Sequence, residues 1–116
     1  EVIRYLTQNF DKRIELKEIA DIAHMTPNSF CRYFKKRTHK SFSQYLNEIR
    51  IRHACKLLIE GGLPISDICY QSGFNTITNF NRQFKQLMQV TPSEFMKKYE
   101  IKVEAEATDP YALAAS

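Results

Sequence analysis

The sequence predicts an all-α fold in which two small helical units flank a long linker helix. Three observations predict it. Apolar residues recur at helical spacing through most of the chain, and no run alternates as a half-buried strand would. The pattern Phe-x-Arg-x-Phe-Lys occurs twice, at Phe30–Lys35 and Phe80–Lys85, with the copies 50 residues apart. Between them runs a helical stretch that stops at Gly61-Gly62, with Pro64 just beyond.

Each element has its own signal. Val2, Ile3, Leu6 and Phe10 mark a first amphipathic helix over about residues 1–9. Leu16, Ile19, Ala20 and Ala23 mark a short second one. Thr26 is a good N-cap, and Pro27 suits the first helical position, where its missing N–H has no intrahelical partner in any case. The third helix then runs to about Arg37. Ser41-Phe-Ser-Gln44 has the form of a capping box and opens the linker helix through Tyr45, Leu46, Ile49, Ala54, Leu57 and Leu58. Ile65, Ile68 and Cys69 begin a fifth helix that ends near Gly73, and Thr76 starts a sixth that runs to about Leu87. Thr91-Pro-Ser-Glu94 is a fuller capping box that opens a final helix through Phe95 to Tyr99. After Tyr99 the periodicity fades, and Glu104–Pro110 with the small residues behind it reads as a solvated tail. The expected division is 1–40, a linker helix over 41–60, then 61–99, and a flexible tail over 100–116.

Composition narrows the function classes. A chain of 116 residues holds one domain, or two very small ones, with a modest core. It begins at Glu1 without a methionine, inside an expected helix, and so reads as a fragment of a longer protein. No run approaches the roughly 20 apolar residues that span a bilayer, and nothing resembles a secretory signal. Residues 1–99 hold 16 Lys and Arg against 9 Asp and Glu, while residues 100–116 carry a balance of −3. The part expected to fold is therefore more basic than the net +4 implies, which favours a polyanionic partner. Cys31, Cys55 and Cys69 form no C-x-x-C pair, and their odd number argues against a disulfide framework. Free thiols suit a cytoplasmic location. His24, His39 and His53 do not join them at zinc-ligand spacing, so no metal is expected. No Ser-His-Asp order, Gly-rich phosphate loop or cooperating carboxylate pair is visible, so neither an enzyme nor a cofactor is expected.

The repeat extends beyond the phenylalanines. Leu16–His24 aligns with Ile65–Gly73 at an offset of 49, and the second copy carries one extra residue in its turn. A small residue recurs in the first helix of each unit, Ala20 and Cys69, where the second helix must cross close above it. Gly73 fits the left-handed turn position, and His24 takes that place less comfortably in the first unit. The units therefore read as helix-turn-helix subdomains.

In the second helix of each unit, Phe30 and Phe34, like Phe80 and Phe84, lie one turn apart on a face expected to be core. The opposite face carries Asn28, Cys31, Arg32, Lys35 and Lys36 in the first copy, and Thr78, Asn81, Arg82 and Lys85 in the second. Arg bonds guanine at two points and Asn does the same for adenine, so an Arg-centred polar stripe suits base edges. Lysines at the helix ends suit phosphates. A linker of roughly 17 residues at about 1.5 Å each is about 25 Å long. With the width of the flanking units, that holds the two helices about one turn of B-DNA apart. Polar-faced helices are common, but two with the same polar grammar are hard to explain as chance.

The same residues resemble the DNA-binding domain of the AraC/XylS family of bacterial transcription regulators, over about residues 1–99. Leu16–Lys36 is similar to that family's first helix-turn-helix, Tyr45–Leu58 to its linker helix, and Pro64–Lys85 to its second unit. Thr91-Pro-Ser-Glu-Phe95 is similar to its closing Thr-Pro-x-x-Tyr/Phe motif. The sequence departs from the pattern at three places. His24 stands for a turn glycine, Met88-Gln89 for the glycine often found before Thr-Pro, and Ser41-Phe42 for Thr-Pro in the first copy. The resemblance implies seven helices, two major-groove readers, a monomeric grip on an asymmetric double-stranded DNA site, and activation through contacts with RNA polymerase. It makes Asn28, Cys31, Arg32, Thr78, Asn79, Asn81 and Arg82 the candidate base contacts.

Candidate phosphate contacts are Lys35, Lys36, Arg37 and Lys40 behind the first reader, with Thr76 and Lys85 on the second. Arg32 and Arg82 are the foremost base readers, the alternative for each being a phosphate clamp or a surface ion pair. Arg50 and Arg52 are expected to pair within the protein with Glu48 or Glu60 rather than reach the DNA backbone. Tyr33, Tyr45, Tyr70 and Tyr99 are expected at core edges, and Cys55 and Cys69 as small buried residues. Cys31 has no thiol near it in sequence, and no redox role is expected of it. An effector or dimerisation domain is expected on the N-terminal side. The rival reading is a helical protein-interaction module, which the basic stripes disfavour because protein interfaces usually bury an apolar centre.

Overall fold

Local capping decides where the helices of this chain begin. The Thr26 hydroxyl accepts from the Ser29 N–H with Pro27 at the first helical position, and the Thr76 hydroxyl does the same for Asn79. Ser41 and Gln44 form the expected capping box, and Thr91 and Glu94 form another. The computed structural model describes residues 1–99, and the expected tail over 100–116 lies outside them. Within that span the helices are α1 (Val2–Asn9), α2 (Leu16–Ile22), α3 (Pro27–Thr38), α4 (Phe42–Glu60), α5 (Ile65–Gln71) and α6 (Ile77–Met88). A further helix, α7, covers 92–99. The fold is all-α, with seven helices among the described residues, consistent with two helix-turn-helix units joined by α4. No helix among the described residues is long and apolar enough to cross a membrane.

Two apolar clusters form, one in each half. The first gathers Leu6, Ile19, Ala20, Phe30, Phe34 and Leu46. The second gathers Ile51, Ala54, Leu58, Ile68, Cys69, Phe74, Phe80 and Phe84. Helix α4 serves both, giving its N-terminal half to one cluster and its C-terminal half to the other. The aromatic rings set the packing. Phe30 and Phe34 lie 5.5 Å apart and each meets Phe42, while Tyr45 stands edge-on to Phe34 at 5.2 Å. In the second half Phe80 lies between Phe74 and Phe84, at 5.3 and 5.8 Å, and Phe84 meets Phe95.

The turns repeat as closely as the helices. In each unit the residue after the turn hydrogen-bonds back to the small residue of the first helix, Met25 to Ala20 and Phe74 to Cys69. Ala20 and Cys69 are fully buried, as a close helix crossing requires. The Cys69 thiol also donates to the Thr76 carbonyl at 3.6 Å, tying α5 to the cap of α6. His24 takes φ 58 where Gly73 takes φ 99, so the first unit does accept the strained non-glycine turn. His39 and Gln89 end α3 and α6 in the same left-handed conformation, each with its N–H on the lysine carbonyl one turn back. Gln89 thus does with a side chain what glycine does more easily.

Truncating Phe80 to alanine should cost about 3–5 kcal/mol, the usual range for a buried aromatic, read from the midpoint of a urea melt. The Glu94 carboxylate is held below its ordinary pKa by its hydrogen bonds to Thr91 and then by Lys85 and Lys98. A lowered folded pKa favours the folded state above the unfolded value, and that contribution is lost as pH falls through the folded one. Thr91→Ala should bring the Glu94 pKa back up, as followed by NMR titration.

Candidate nucleic-acid interface

Helical geometry and the buried phenylalanines together expose one stripe on each second helix. At about 100° per residue, pinning Phe30 and Phe34 inward turns Asn28, Cys31, Arg32 and Lys35 outward. All four are exposed, as is Lys36 on the flank. Helix α6 does the same: Phe80 and Phe84 are fully buried, and Thr78, Asn81, Arg82 and Lys85 stand in solvent. Arg32 and Arg82 occupy equivalent positions, as do Lys35 and Lys85, and Cys31 and Asn81. The structure therefore brings most of the expected site residues together as two matched rows.

Three expected residues sit differently from the rest. Arg37 leaves the row: its guanidinium lies over the Tyr33 ring at 5.9 Å, beside a groove bordered by Val2 and Ile3 at the start of α1. Lys40 is already engaged, its ammonium 2.6 Å from a Glu48 carboxylate oxygen. Asn79 is half-buried, and its Oδ1 accepts from an Arg82 terminal nitrogen at 2.8 Å. The Thr76 hydroxyl is occupied as an acceptor in capping α6, which leaves its proton free to donate.

The two rows are not identical. Lys35, Lys36 and Arg37 make the last turn of α3 strongly basic, whereas α6 has Lys85 alone there. Arg82 is buttressed by Asn79, while the equivalent position beside Arg32 is Ser29, whose side chain is too short to reach along the helix in that way.

The model of a helix-turn-helix domain family matches residues 19–98, from within α2 through α7. The chain belongs to that helix-turn-helix family. This agrees with the expectation that it is not an enzyme. The chain is 29% identical over 99 residues to the lactose operon transcription activator of Staphylococcus xylosus, covering 85% of this chain and 36% of that protein. It is 32% identical over 94 residues to the bifunctional transcriptional activator/DNA repair enzyme AdaA of Bacillus subtilis, covering 81% and 44%. Among solved structures it is similar to the C-terminal domain of AraT, a response regulator from Geobacillus stearothermophilus, with TM-score 0.78 at 28% identity over 84% of this chain and 81% of that one. The DNA-binding domain of AdpA, solved in complex with a target DNA, shares the fold with TM-score 0.82 at 19% identity, covering 87% and 91%. This helix-turn-helix domain spans about a third of the length of the first curated relatives it matches.

Some residues of the helix-turn-helix domain go beyond what the sequence indicated. Arg50 stays within the protein as expected, but its partners are backbone carbonyls: Nε donates to Phe10 at 2.8 Å and a terminal nitrogen to Lys12 at 3.0 Å. Among the described residues neither Arg50 nor Arg52 pairs with Glu48 or Glu60. Tyr33 and Tyr70 are corrections: they are 49% and 53% exposed, outside the core edge expected of them, whereas Tyr45 is half-buried against Phe34. The Asn79–Arg82 bond had a signal in the sequence, since residues three apart on a helix are neighbours.

Replacing Asn79 with alanine should loosen the Arg82 guanidinium without loss of helix content. Nitrogen-15 relaxation of the Arg82 side chain should show faster motion, with unchanged circular dichroism.

Proposed function

We propose that this chain is the sequence-specific, double-stranded DNA-binding output domain of a bacterial transcription regulator of the AraC/XylS type, and that it acts as an activator. Helices α3 and α6 enter successive major-groove segments on one face of the duplex. The observation that carries this reading is the pair of equivalent, exposed, arginine-centred rows on two helices related by an internal repeat. A duplex repeats its groove every 10–10.5 base pairs, about 34–36 Å, so a duplicated reader on a stiff spacer matches a target that repeats. Helix α4 has 19 residues, and at about 1.5 Å each it makes a spacer of about 28 Å.

Roles follow from chemistry. Arg32 and Arg82 present two donors to guanine, and Asn28, Asn79 and Asn81 offer the donor and acceptor that adenine requires. Cys31 and Thr78 make the remaining edge contacts. Lys35, Lys36 and Lys85 neutralise phosphates, with Thr76 donating its hydroxyl proton to one. Arg37 and Lys40 reach phosphate only by leaving Tyr33 and Glu48. Two relatives are named as transcription activators, which supports the activator role; the proposed protein partner is RNA polymerase and the proposed location is the cytoplasm. The relatives' greater length supports placing an effector or dimerisation domain outside this chain, and the likeness to the C-terminal domain of AraT supports placing it on the N-terminal side.

Site selection from a random duplex pool tests the reading: a bipartite motif with its halves one helical turn apart is expected, and an unselective pool sinks it. Arg82→Ala should cost about 1–3 kcal/mol and relax the preference at one base position, whereas equal loss on every sequence assigns Arg82 to phosphate instead. Lys36→Ala should weaken all sites alike and lower the salt slope by about one.

A further inference from the structure

The two units meet at one polar joint that the proposed reading leaves unused. It is built from the α1–α2 loop of the first unit, the α5–α6 turn of the second, and the middle of α4. Arg50 projects from α4 and donates to the carbonyls of Phe10 and Lys12, separated from it by 40 and 38 residues. On the same helix, one turn on, the His53 ring lies 4.8 Å from the Phe10 ring. Gly73 closes the joint from the other side. A Cβ there would collide with the Phe10 carbonyl oxygen and stand 2.8 Å from Arg50 Nε and 3.1 Å from the Asp11 Cα. Gly73 is thus held to glycine twice, by φ 99 and by the backbone of the other unit.

The chemistry of this contact is directional. A guanidinium presents donors in a planar fork, so two carbonyls bonded at once fix both the distance and the rotation of the loop against α4. Burial lowers the Arg50 pKa from its ordinary value, and the charge of Asp11 acts against that. Here the first unit's backbone comes within contact of the second unit's turn.

We infer that the Phe10–Arg50–Gly73 joint is the positioning element that fixes the rotation and spacing of α3 relative to α6, and with it the half-site spacing the domain accepts. This rests on the two-reader function proposed above. A base pair inserted between half-sites moves the second one along the axis and also around it. Helix α4 alone resists the first change. The joint adds to the packing of α4 against the first cluster in resisting the second, because the first unit cannot roll about α4 without also breaking the Arg50 fork.

The test uses Arg50→Lys, which keeps the charge but not the fork, and Gly73→Ala, which pries the joint open from the opposite unit. Affinity is measured on the selected site and on versions lengthened or shortened by one base pair. The parent chain should prefer the best spacing by about tenfold or more, the scale of one lost base contact, and both variants should narrow this to about threefold or less. Base preference within each half-site should stay unchanged. A second readout needs no DNA. Nitroxide labels on Cys31 and on Asn81→Cys, in a Cys55→Ala background, report the α3–α6 distance by pulsed electron resonance. A narrow distribution in the parent and broad ones in both variants supports the joint. Equal widths, unchanged spacing preference, or complete loss of helix content in Arg50→Lys overturns it. If the parent binds no duplex selectively, the function proposed above fails, while the label distances still decide the joint.

Discussion

Two phenylalanines one turn apart, twice over, govern this molecule. Burying Phe30 with Phe34, and Phe80 with Phe84, fixes how α3 and α6 are rolled about their own axes. The roll is what matters, because a helix has one face to bury and the other is decided by default. With the rings inside, the arginine between each pair has nowhere to go but solvent. Other features support this arrangement. Ala20 and Cys69 are small so that the second helix can sit close, and Thr26 and Thr76 start that helix at the right residue. Phe42 and Phe95 close the aromatic clusters from the helices that follow.

The duplicated plan has been filled with unequal residues. The first unit tolerates a histidine in a left-handed turn, while the second uses glycine there and buries the Ser72 hydroxyl with no partner among the described residues, a position held by Ala23 in the first. Each unit carries a small cost that the other avoids. The polar rows differ in kind as well. Helix α3 ends in a dense cationic turn and suits the non-selective attraction of a charged backbone, while α6 holds its arginine in a set orientation beside Asn79. On the proposed reading, the first suits approach by charge and the second suits recognition by geometry.

Most of the secondary structure was legible because its signals are local. A hydroxyl residue before Pro27, the Ser41 and Thr91 boxes and the Gly61 stop all act within a few residues, and the helices start and end within a residue or two of the expected places. The outward rows were legible because helical periodicity places a residue's direction once its neighbour's burial is known. What lay beyond reading depended on distance along the chain or on competing partners. Arg50 bonds carbonyls some forty residues away, and a carbonyl leaves no mark in a sequence. Lys40 belongs to a basic run by sequence, but Glu48, nearly two turns into the next helix, claims it. Arg37 belonged to the same run by sequence, but its angular position puts it on the far side with Tyr33. Tyr33 and Tyr70 stood at helical positions compatible with a core edge, and only the packed neighbours decide that such a position is open.

The split of the interior into two clusters has a thermodynamic corollary. Each half buries its own rings, and among the described residues the halves share α4 and the joint at Phe10, Arg50 and Gly73. Melting therefore need not be all-or-none: the cooperativity that links one half to the other is carried by α4, whose Leu46 and Ile51 belong to different interiors only a turn apart. In a chain built this way the stability of each half is set first by its own buried rings and only second by its neighbour.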